Sequence, residues 1–202
     1  MFSGLNNLND ISLSPRFAAI CGYTDADIDA VFAPELDGLD REKIRTWYNG
    51  YGWCGETRVY NPNDLLLFLR NHEFRCYWRD TGTPSFLFGL LFGKMMKQSF
   101  SLMELEGRMV NSSMLSMFEV DSISIEALLF QTGYLTITEE VRKDYRTFYR
   151  LDYPNLEEQL SLNNELLAYL DERNRVPFDD VRVLRSYLEV HDFEGFSGQF
   201  RA

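Results

Sequence analysis

The sequence predicts a mainly α-helical chain with one β-hairpin, an α+β fold. Helix-capping residues precede apolar stretches throughout the first half. In the second half, two segments suited to β-strands flank a charged stretch. The chain has 202 residues, of which 45% are hydrophobic and 15% aromatic. That composition is sufficient for a buried core in one domain or two small ones.

Three helices of the first half are each preceded by a capping residue. Thr24, with Asp27 three residues later, precedes "DADIDAVF", and Asp40 precedes "REKIRTWY". Asn61 precedes "PNDLLLFLR", in which proline suits the first helical turn. We expect the helix "REKIRTWY" to end at Gly50, because helices often end at glycine.

A fourth helix is predicted from "TGTPSFLFGLLFGKMM", where Thr83 precedes a proline. This segment is apolar on nearly all sides, which indicates a buried helix. Residues 98–122 contain several methionines without a clean period. We expect short helices there that link the two halves of the chain.

The second half predicts a helix, a hairpin and further helices. "ISIEALLFQTGYLTI" reads as a helix closed by Gly133 and followed by a strand, "EEVRKD" as a charged turn and "YRTFYRL" as the second strand. The hairpin would span residues 134–151. In "LEEQLSLNNELLAYLDE" we expect one buried helical face, and "DDVRVLRSYLEV" predicts a last helix. The residues of that expected face are Leu156, Leu160, Leu167 and Leu170.

The order of elements in the second half is that of a winged-helix-like unit, with the hairpin as the wing. We therefore divide the chain into a helical subdomain over residues 1–110 and a winged-helix-like subdomain over residues 111–202. An α+β domain with one hairpin is the simpler interpretation of the same order.

Charge, cysteine and histidine content narrow the function classes. The net charge is −11, and no dense block of lysine and arginine is present. Nucleic-acid-binding proteins usually have a basic stripe. Three cysteines without a C-x-x-C pair and two histidines predict reduced thiols and no metal site.

No apolar run is long enough to cross a bilayer, and the first residues do not resemble a signal peptide, so we expect a cytoplasmic protein without membrane contact.

The stretch "NGYGWCG" contains Gly50, Gly52 and Gly55 in the G-x-G-x-x-G spacing of dinucleotide-binding loops. That fingerprint must follow a strand and open a helix, so that helix amides meet the pyrophosphate. Here a helix precedes the glycines and an extended piece follows them. We therefore interpret the stretch as a helix-ending aromatic turn. No catalytic residues are recognisable, and acidic runs such as "LEEQ" are interpreted as solvated helix faces.

Aromatic side chains crowd the stretch between residues 47 and 78. One interpretation is that they pack the helices together, with each polar end hydrogen-bonded. The other is a docking or hinge surface, because aromatic residues are common at interfaces. The candidates for that surface are Trp47, Tyr51, Tyr60, Asn61, Tyr77 and Thr83.

Several motifs in order resemble the AAA-ATPase-like family, whose bacterial members commonly have a C-terminal PD-(D/E)xK nuclease-type domain. The resemblance extends from about residue 3 to the helix after residue 155. It is carried by "SGLNNLNDISLSPRFAAICGYT", "WYNGYGW", "VYNPNDLLLFL", "YWRDTGTPSFL", "ALLFQTGYLTI" and "LDYPNLEEQLSL". None of these motifs is specific to the family by itself, but their occurrence together in this order is specific.

The resemblance implies that the chain matches the middle of a longer protein. The P-loop and Walker B strand would lie upstream, and the nuclease-like domain downstream. The chain itself would be a non-catalytic helical lid with a winged-helix-like extension, partnered by the ATPase core and the nuclease-like domain. No cofactor is expected in this chain, and ATP with magnesium only with the upstream core. A lid of this kind can supply a sensor arginine, for which Arg16, Arg45 and Arg58 are candidates.

The sequence departs from the family pattern at two positions. The family often has a basic residue where this chain has Gly52, and another where it has Gln159. If either charge contacts nucleotide, DNA or a partner domain, that contact is missing here.

Two other functions are open from the sequence. The hairpin tip carries Arg142, Lys143 and Arg146, which could bind DNA against the overall negative field. An enzyme in its own right would require a convergent site that the motifs do not reveal.

Overall fold

The computed structural model describes residues 11–53, 55–78, 85–98, 105–115 and 123–171, together with residues 183, 186 and 187. In this part of the chain, eight α-helices and a three-stranded antiparallel sheet form a mainly helical α+β fold, as predicted. No helix among these residues has the length and apolar character needed to cross a membrane. Thr83 and most of the predicted last helix lie outside the described residues.

Four helices form the first half, after a short 3-10 helix at Pro15–Phe17. They are α1 (Asp25–Val31), α2 (Ala33–Leu36), α3 (Arg41–Tyr48) and α4 (Pro62–Asn71).

The three predicted caps of this half are confirmed. The Asp27 amide donates to Thr24 Oγ1 at 3.2 Å, and the Lys43 amide donates to Asp40 Oδ1 at 3.0 Å. The Asn63 amide donates to Asn61 Oδ1 at 3.0 Å. Each cap satisfies an amide that the first helical turn leaves unpaired.

The helices of the first half enclose their own apolar cluster. Its buried members are Ile28, Leu36, Ile44, Tyr48, Tyr60, Leu65, Phe68, Leu69 and Tyr77. Tyrosine rings supply a third of it, and their hydroxyl groups find polar partners at its edge. The aromatic richness of the sequence is thus used in part for packing.

The second half of the described chain, residues 85–171, contains the sheet and four helices. In chain order its elements are α5 (Ser85–Gln98), β1 (Arg108–Asn111), α6 (Ser112–Leu115), α7 (Ile125–Gln131), β2 (Thr136–Lys143), β3 (Arg146–Asp152) and α8 (Leu156–Asp171). The strand order is β1-β3-β2, and both pairings are antiparallel.

Strand β1 was not predicted from the sequence. Short helices were expected over residues 98–122; among the described residues of that stretch, α6 agrees with the expectation and β1 does not. Val110 lies opposite Tyr149 in the register of β1 and β3, and both are buried. Pairing with β3 and burial of one face therefore select the strand. The proposed subdomain boundary at residue 110 falls inside this strand, and the division itself remains a prediction.

The hairpin is present, but its turn is shorter than predicted. Strand β2 continues through the charged stretch to Lys143, which lies opposite Arg146. Only Asp144 and Tyr145 form the turn, with φ angles of 50° and 62°. Two consecutive positive φ angles are typical of the two-residue turns that match the twist of paired strands.

The buried face of α8 differs from the predicted leucine face. Leu156, Leu160 and Leu167 are half-buried, and the side chain of Leu170 lies outside the described residues. The buried positions are instead Glu157, Glu158, Ser161, Leu162 and Leu166. The interpretation of "LEEQ" as a solvated helix face is therefore wrong. Two carboxyl groups at the start of the helix point into the protein.

A second apolar cluster lies between the sheet and the helices of the second half. It includes Leu87 and Leu91 from α5, Leu129 from α7, Leu151 from β3 and Leu162 from α8. Helix α5 lies before residue 110, yet it packs in this cluster. Helix α3 of the first half packs against α8 of the second, which brings the two clusters together.

Candidate functional site

The turn after α3 that contains Gly50 and Gly52, which we call the glycine turn, connects the two halves of the protein. Gly50 has a φ angle of 120°, and a Cβ atom there would collide with the carbonyl oxygen of Pro154. The Gly52 amide donates to Thr136 Oγ1 at 2.7 Å, and the Thr136 hydroxyl group donates to the Gly52 carbonyl at 2.7 Å. The amide of Ile137 also donates to that carbonyl at 3.1 Å.

These contacts explain the G-x-G-x-x-G spacing without a nucleotide. Helix α3 ends at Tyr48, before the glycines, and an isolated bridge pairs Tyr51 with Val59 after them. The Gly52 amide is already bonded to Thr136, and the Arg58 guanidinium covers the space beside Gly52. The predicted helix-ending turn is confirmed, and it serves to dock one half on the other.

Three buried carboxyl groups lie beside this turn. Asp64, in the first turn of α4, is 1% exposed, and Glu157 and Glu158, in the first turn of α8, are 1% and 0% exposed. We call these three residues the carboxyl cluster. Their places follow from local sequence, because acidic residues favour the positive N-terminal end of a helix. The burial follows from the packing of both helix starts at the junction of the two halves.

Hydrogen bonds tie this cluster to residues of the first half. The Tyr51 hydroxyl group donates to Glu158 Oε1 at 2.6 Å, and the Trp78 amide donates to Glu157 Oε1 at 2.9 Å. The side-chain amide of Asn63 donates from Nδ2 to Asp64 Oδ1 at 3.3 Å. Among the described residues, Glu158 Oε2 has no hydrogen-bond partner. A buried oxygen in that condition is costly when charged, which favours a protonated carboxyl group.

Burial shifts the pKa of every member of the cluster upward. Burial raises the pKa of Asp64 to about 6, against bonds from Asn63 and Glu157 that lower it. Burial and the charge of Asp64 raise the pKa of Glu157 to about 8. Burial also raises the pKa of Glu158 well above its usual value. Near neutral pH the cluster therefore holds protons and carries about one negative charge.

A groove opens beside the cluster, with a volume of about 310 Å³. It is lined by residues of both halves: Cys21, Tyr51, Trp53, Val59, Tyr60, Asn61, Pro62, Trp78, Phe130, Gln131, Thr132, Gly133, Leu135 and Thr136. We call it the aromatic groove, because Tyr51, Trp53, Tyr60 and Trp78 line it. Its volume lies at the small end of the range for ligand pockets. Tyr51 and Trp78 belong to the groove and are also bonded to the carboxyl cluster.

The structure divides the aromatic residues that were candidates for a docking surface. Tyr51, Tyr60 and Asn61 line the groove. Tyr77 is 2% exposed and its hydroxyl group donates to the Glu73 carbonyl at 2.9 Å, so it packs in the first cluster. Trp47 also packs against the first cluster, with its ring 5.7 Å from that of Phe74. The packing interpretation therefore applies to Tyr77 and Trp47, and a docking surface at Tyr51, Tyr60 and Asn61 stays a prediction.

The carboxyl cluster was missed by the sequence reasoning, although a weak signal existed. Glu158, Ser161 and Leu162 share a helical face with Leu166 through spacings of three and four residues. That pattern places a glutamate in line with apolar residues. For Asp64, the apolar run that follows directly after it gave the same hint.

The basic residues of the hairpin lie at its tip, as predicted. The side chain of Arg142 is 81% exposed and its Nε donates to Glu140 Oε1 at 2.7 Å. Lys143 and Arg146 are opposite each other beside the turn, and Tyr145 is fully exposed. The hairpin tip therefore presents basic residues together with an exposed aromatic ring.

The arginines considered as nucleotide sensors have partners within the protein. The Nε of Arg45 donates to Asp25 Oδ1 at 3.1 Å, and Nη2 of Arg58 donates to the Thr138 carbonyl at 2.9 Å. The guanidinium of Arg16 lies 5.7 Å from the ring centre of Phe17. In the part of the chain that the structure describes, no group of three or more histidine, cysteine, aspartate or glutamate side chains could hold a metal ion.

Comparison with known proteins gives one informative relative. The chain is 52% identical over 203 aligned residues to an uncharacterized protein in the vnfD 5′ region of Azotobacter chroococcum mcd 1. The match covers all of this chain and 38% of that protein. No family model matches the chain. No solved structure matches it either.

Proposed function

We propose that this chain is the lid and coupling segment of an AAA-ATPase-like protein, and that it is not catalytic itself. In such a protein the nucleotide state of an upstream core would move the helical half, and the hairpin half would carry that movement to a downstream domain. The match to 38% of a longer relative supports a role as part of a larger polypeptide. We expect this protein in the cytoplasm.

The observation that carries the proposal is the junction of the two halves. Gly52 and Thr136 bond reciprocally, and Tyr51 reaches Glu158 across 107 positions of sequence. We therefore expect a movement of α3 to displace the start of β2 and of α8. Coupling needs this kind of packed and hydrogen-bonded connection between two elements.

The genomic sequence around this segment is the first test. The proposal predicts an in-frame Gly-x-x-x-x-Gly-Lys-Ser/Thr motif upstream, as phosphate-binding loops have. A locus without that motif contradicts the ATPase assignment.

The second test measures ATP hydrolysis by the longer polypeptide that contains this segment. Tyr51→Phe removes the bond to Glu158, and we expect it to change the rate of hydrolysis. Tyr145→Phe is the matched control, because Tyr145 lies fully exposed on the hairpin turn. Equal rates for the two variants contradict the coupling role.

A second candidate function is nucleic-acid binding by the hairpin tip. It is favoured by the exposure of Arg142 and Tyr145 at the end of the hairpin that β2 and β3 form. Basic side chains would meet phosphates, and a tyrosine ring could stack on a base. The net charge of −11 opposes this function, so binding should be weak and strongly dependent on salt.

Fluorescence anisotropy with a labelled DNA duplex tests this candidate. Binding at low salt that disappears in the triple variant Arg142→Ala, Lys143→Ala, Arg146→Ala would support it. Absence of binding by the unaltered chain at low salt would exclude it.

A further inference from the structure

We propose that the aromatic groove binds an organic cation, namely the arginine or lysine side chain of another polypeptide segment. The groove, its tyrosine and tryptophan lining and the carboxyl cluster behind it carry this inference. The groove shares Tyr51 and Thr136 with the junction of the two halves, but the inference does not depend on the lid proposal.

The lining of the groove suits a cation. Faces of tryptophan and tyrosine rings carry partial negative charge and attract ammonium and guanidinium groups. Trp53 and Trp78 are half-buried, so part of each side chain is open to a ligand. The rings of Tyr51 and Trp53 are 6.4 Å apart and close to parallel, at 19°. A planar guanidinium or an alkyl ammonium stem fits against such rings.

The carboxyl cluster adds attraction for a positive charge. The hydroxyl group of Tyr51, which lines the groove, donates a hydrogen bond to Glu158 Oε1. Trp78, which also lines the groove, is bonded through its amide to Glu157. The member of the cluster that is ionised near neutral pH is Asp64, in the first turn of the helix that begins beside the lining residues Asn61 and Pro62. The C-terminal end of α7, at Thr132 and Gly133, also lines the groove, and Gly133 lies beside the rings of Tyr51 and Trp78.

Other ligand classes fit less well. An anion would meet a protein of net charge −11, and the described lining residues include no lysine or arginine. A purely apolar ligand would gain no electrostatic attraction from the aromatic rings that line the groove. A polypeptide side chain is the expected source of the cation, because the groove, at about 310 Å³, is at the small end of the range for ligand pockets and suits a single side chain.

Peptide titration tests the proposal. The probe is an acetylated and amidated pentapeptide, Gly-Ser-Arg-Ser-Gly, together with the same peptide containing lysine. Matched peptides with citrulline or norleucine at the central position keep the size and remove the charge. Tryptophan fluorescence reports binding, because Trp53 and Trp78 lie in the groove. We expect the charged peptides to bind at millimolar concentration and the neutral ones at least about tenfold more weakly.

A variant pair locates the binding. Trp53→Leu keeps an apolar side chain and removes the ring, so it should weaken binding of the arginine peptide at least about threefold. Trp47→Leu is the control, because Trp47 packs in the first cluster away from the groove. Calorimetry replaces fluorescence for these variants. Equal affinity for the charged and neutral peptides, an equal effect of the two variants, or no binding of any peptide would each overturn the proposal.

A thiol-labelling measurement on the unaltered chain avoids any problem with the folding of a variant. Cys21 is exposed and lines the groove, whereas Cys76 is half-buried and is not among the lining residues. Mass spectrometry of peptides carrying each thiol follows its alkylation separately. The arginine peptide should slow labelling of Cys21 relative to Cys76, and the norleucine peptide should not. Protection of neither thiol by the arginine peptide would contradict the site.

Discussion

Replacement of Glu157 by glutamine should remove this residue's share of the loss of stability at alkaline pH, to which the buried Glu158 also contributes. Glu157 is 1% exposed, and its pKa of about 8 is far above its ordinary value of 4.5. The folded protein therefore binds a proton that the unfolded chain releases. The stabilising contribution of Glu157 is fully present below pH 4.5 and is lost as the pH rises through 8.

The size of the effect follows from the width of that pH window. Each unit of pH between about 5.5 and 8 costs about 1.4 kcal/mol of unfolding free energy for one such group. The total over this window is on the order of 3 kcal/mol, a large part of the 5–15 kcal/mol that is typical of domains. Asp64, with a pKa of about 6, adds a smaller loss in the lower part of the window.

Glutamine keeps the shape of Glu157 and can still accept the bond from the Trp78 amide, but it cannot ionise. Urea unfolding followed by tryptophan fluorescence at pH 5.5, 6.5, 7.5 and 8.5 measures the free energy. Glu157→Gln should gain stability relative to the unaltered chain as pH rises, while Glu56→Gln, at an exposed carboxylate, should follow the unaltered chain. Parallel pH profiles for Glu157→Gln and the unaltered chain would refute this reasoning.

Three further predictions concern the junction of the two halves, each measured by urea unfolding at pH 6.5. Gly50→Ala should lower the free energy of unfolding by about 3 kcal/mol or more, because a Cβ atom at Gly50 has no space. Gly55→Ala should lower it by about 1 kcal/mol, because only the positive φ angle of Gly55 opposes alanine. Equal losses for the two variants would contradict the close approach of Gly50 to Pro154. Tyr51→Phe should cost about 1–3 kcal/mol, since Glu158 loses its hydroxyl donor; no loss would show that the bond contributes nothing. Thr136→Val should cost a similar 1–3 kcal/mol through its two bonds to the glycine turn, and an unchanged stability would contradict its role there.

Local signals in the sequence predicted most helices and the hairpin. The caps at Thr24, Asp40 and Asn61 are contacts between residues two or three positions apart, so they can be read directly from the chain. Strand β1 could not be predicted in this way. Its four residues become a strand because they pair with β3, about forty positions later.

The candidate site was predicted only in part, for a similar reason. Tyr51, Tyr60 and Asn61 were candidates because aromatic and polar residues crowd that stretch. The carboxyl cluster was missed because ordinary expectation places glutamates on solvated faces. Burial of Glu157 and Glu158 depends on the packing of α8 against the first half, which no local pattern encodes.

The central claim is that the junction makes the two halves one cooperative unit. Native-state hydrogen exchange with mass spectrometry tests it most directly, by comparing the amides of α3 in one half with those of β3 in the other. The account predicts that both segments exchange with the free energy of global unfolding, equal within about 1 kcal/mol. Opening of one segment at a free energy lower by more than about 2 kcal/mol would contradict it.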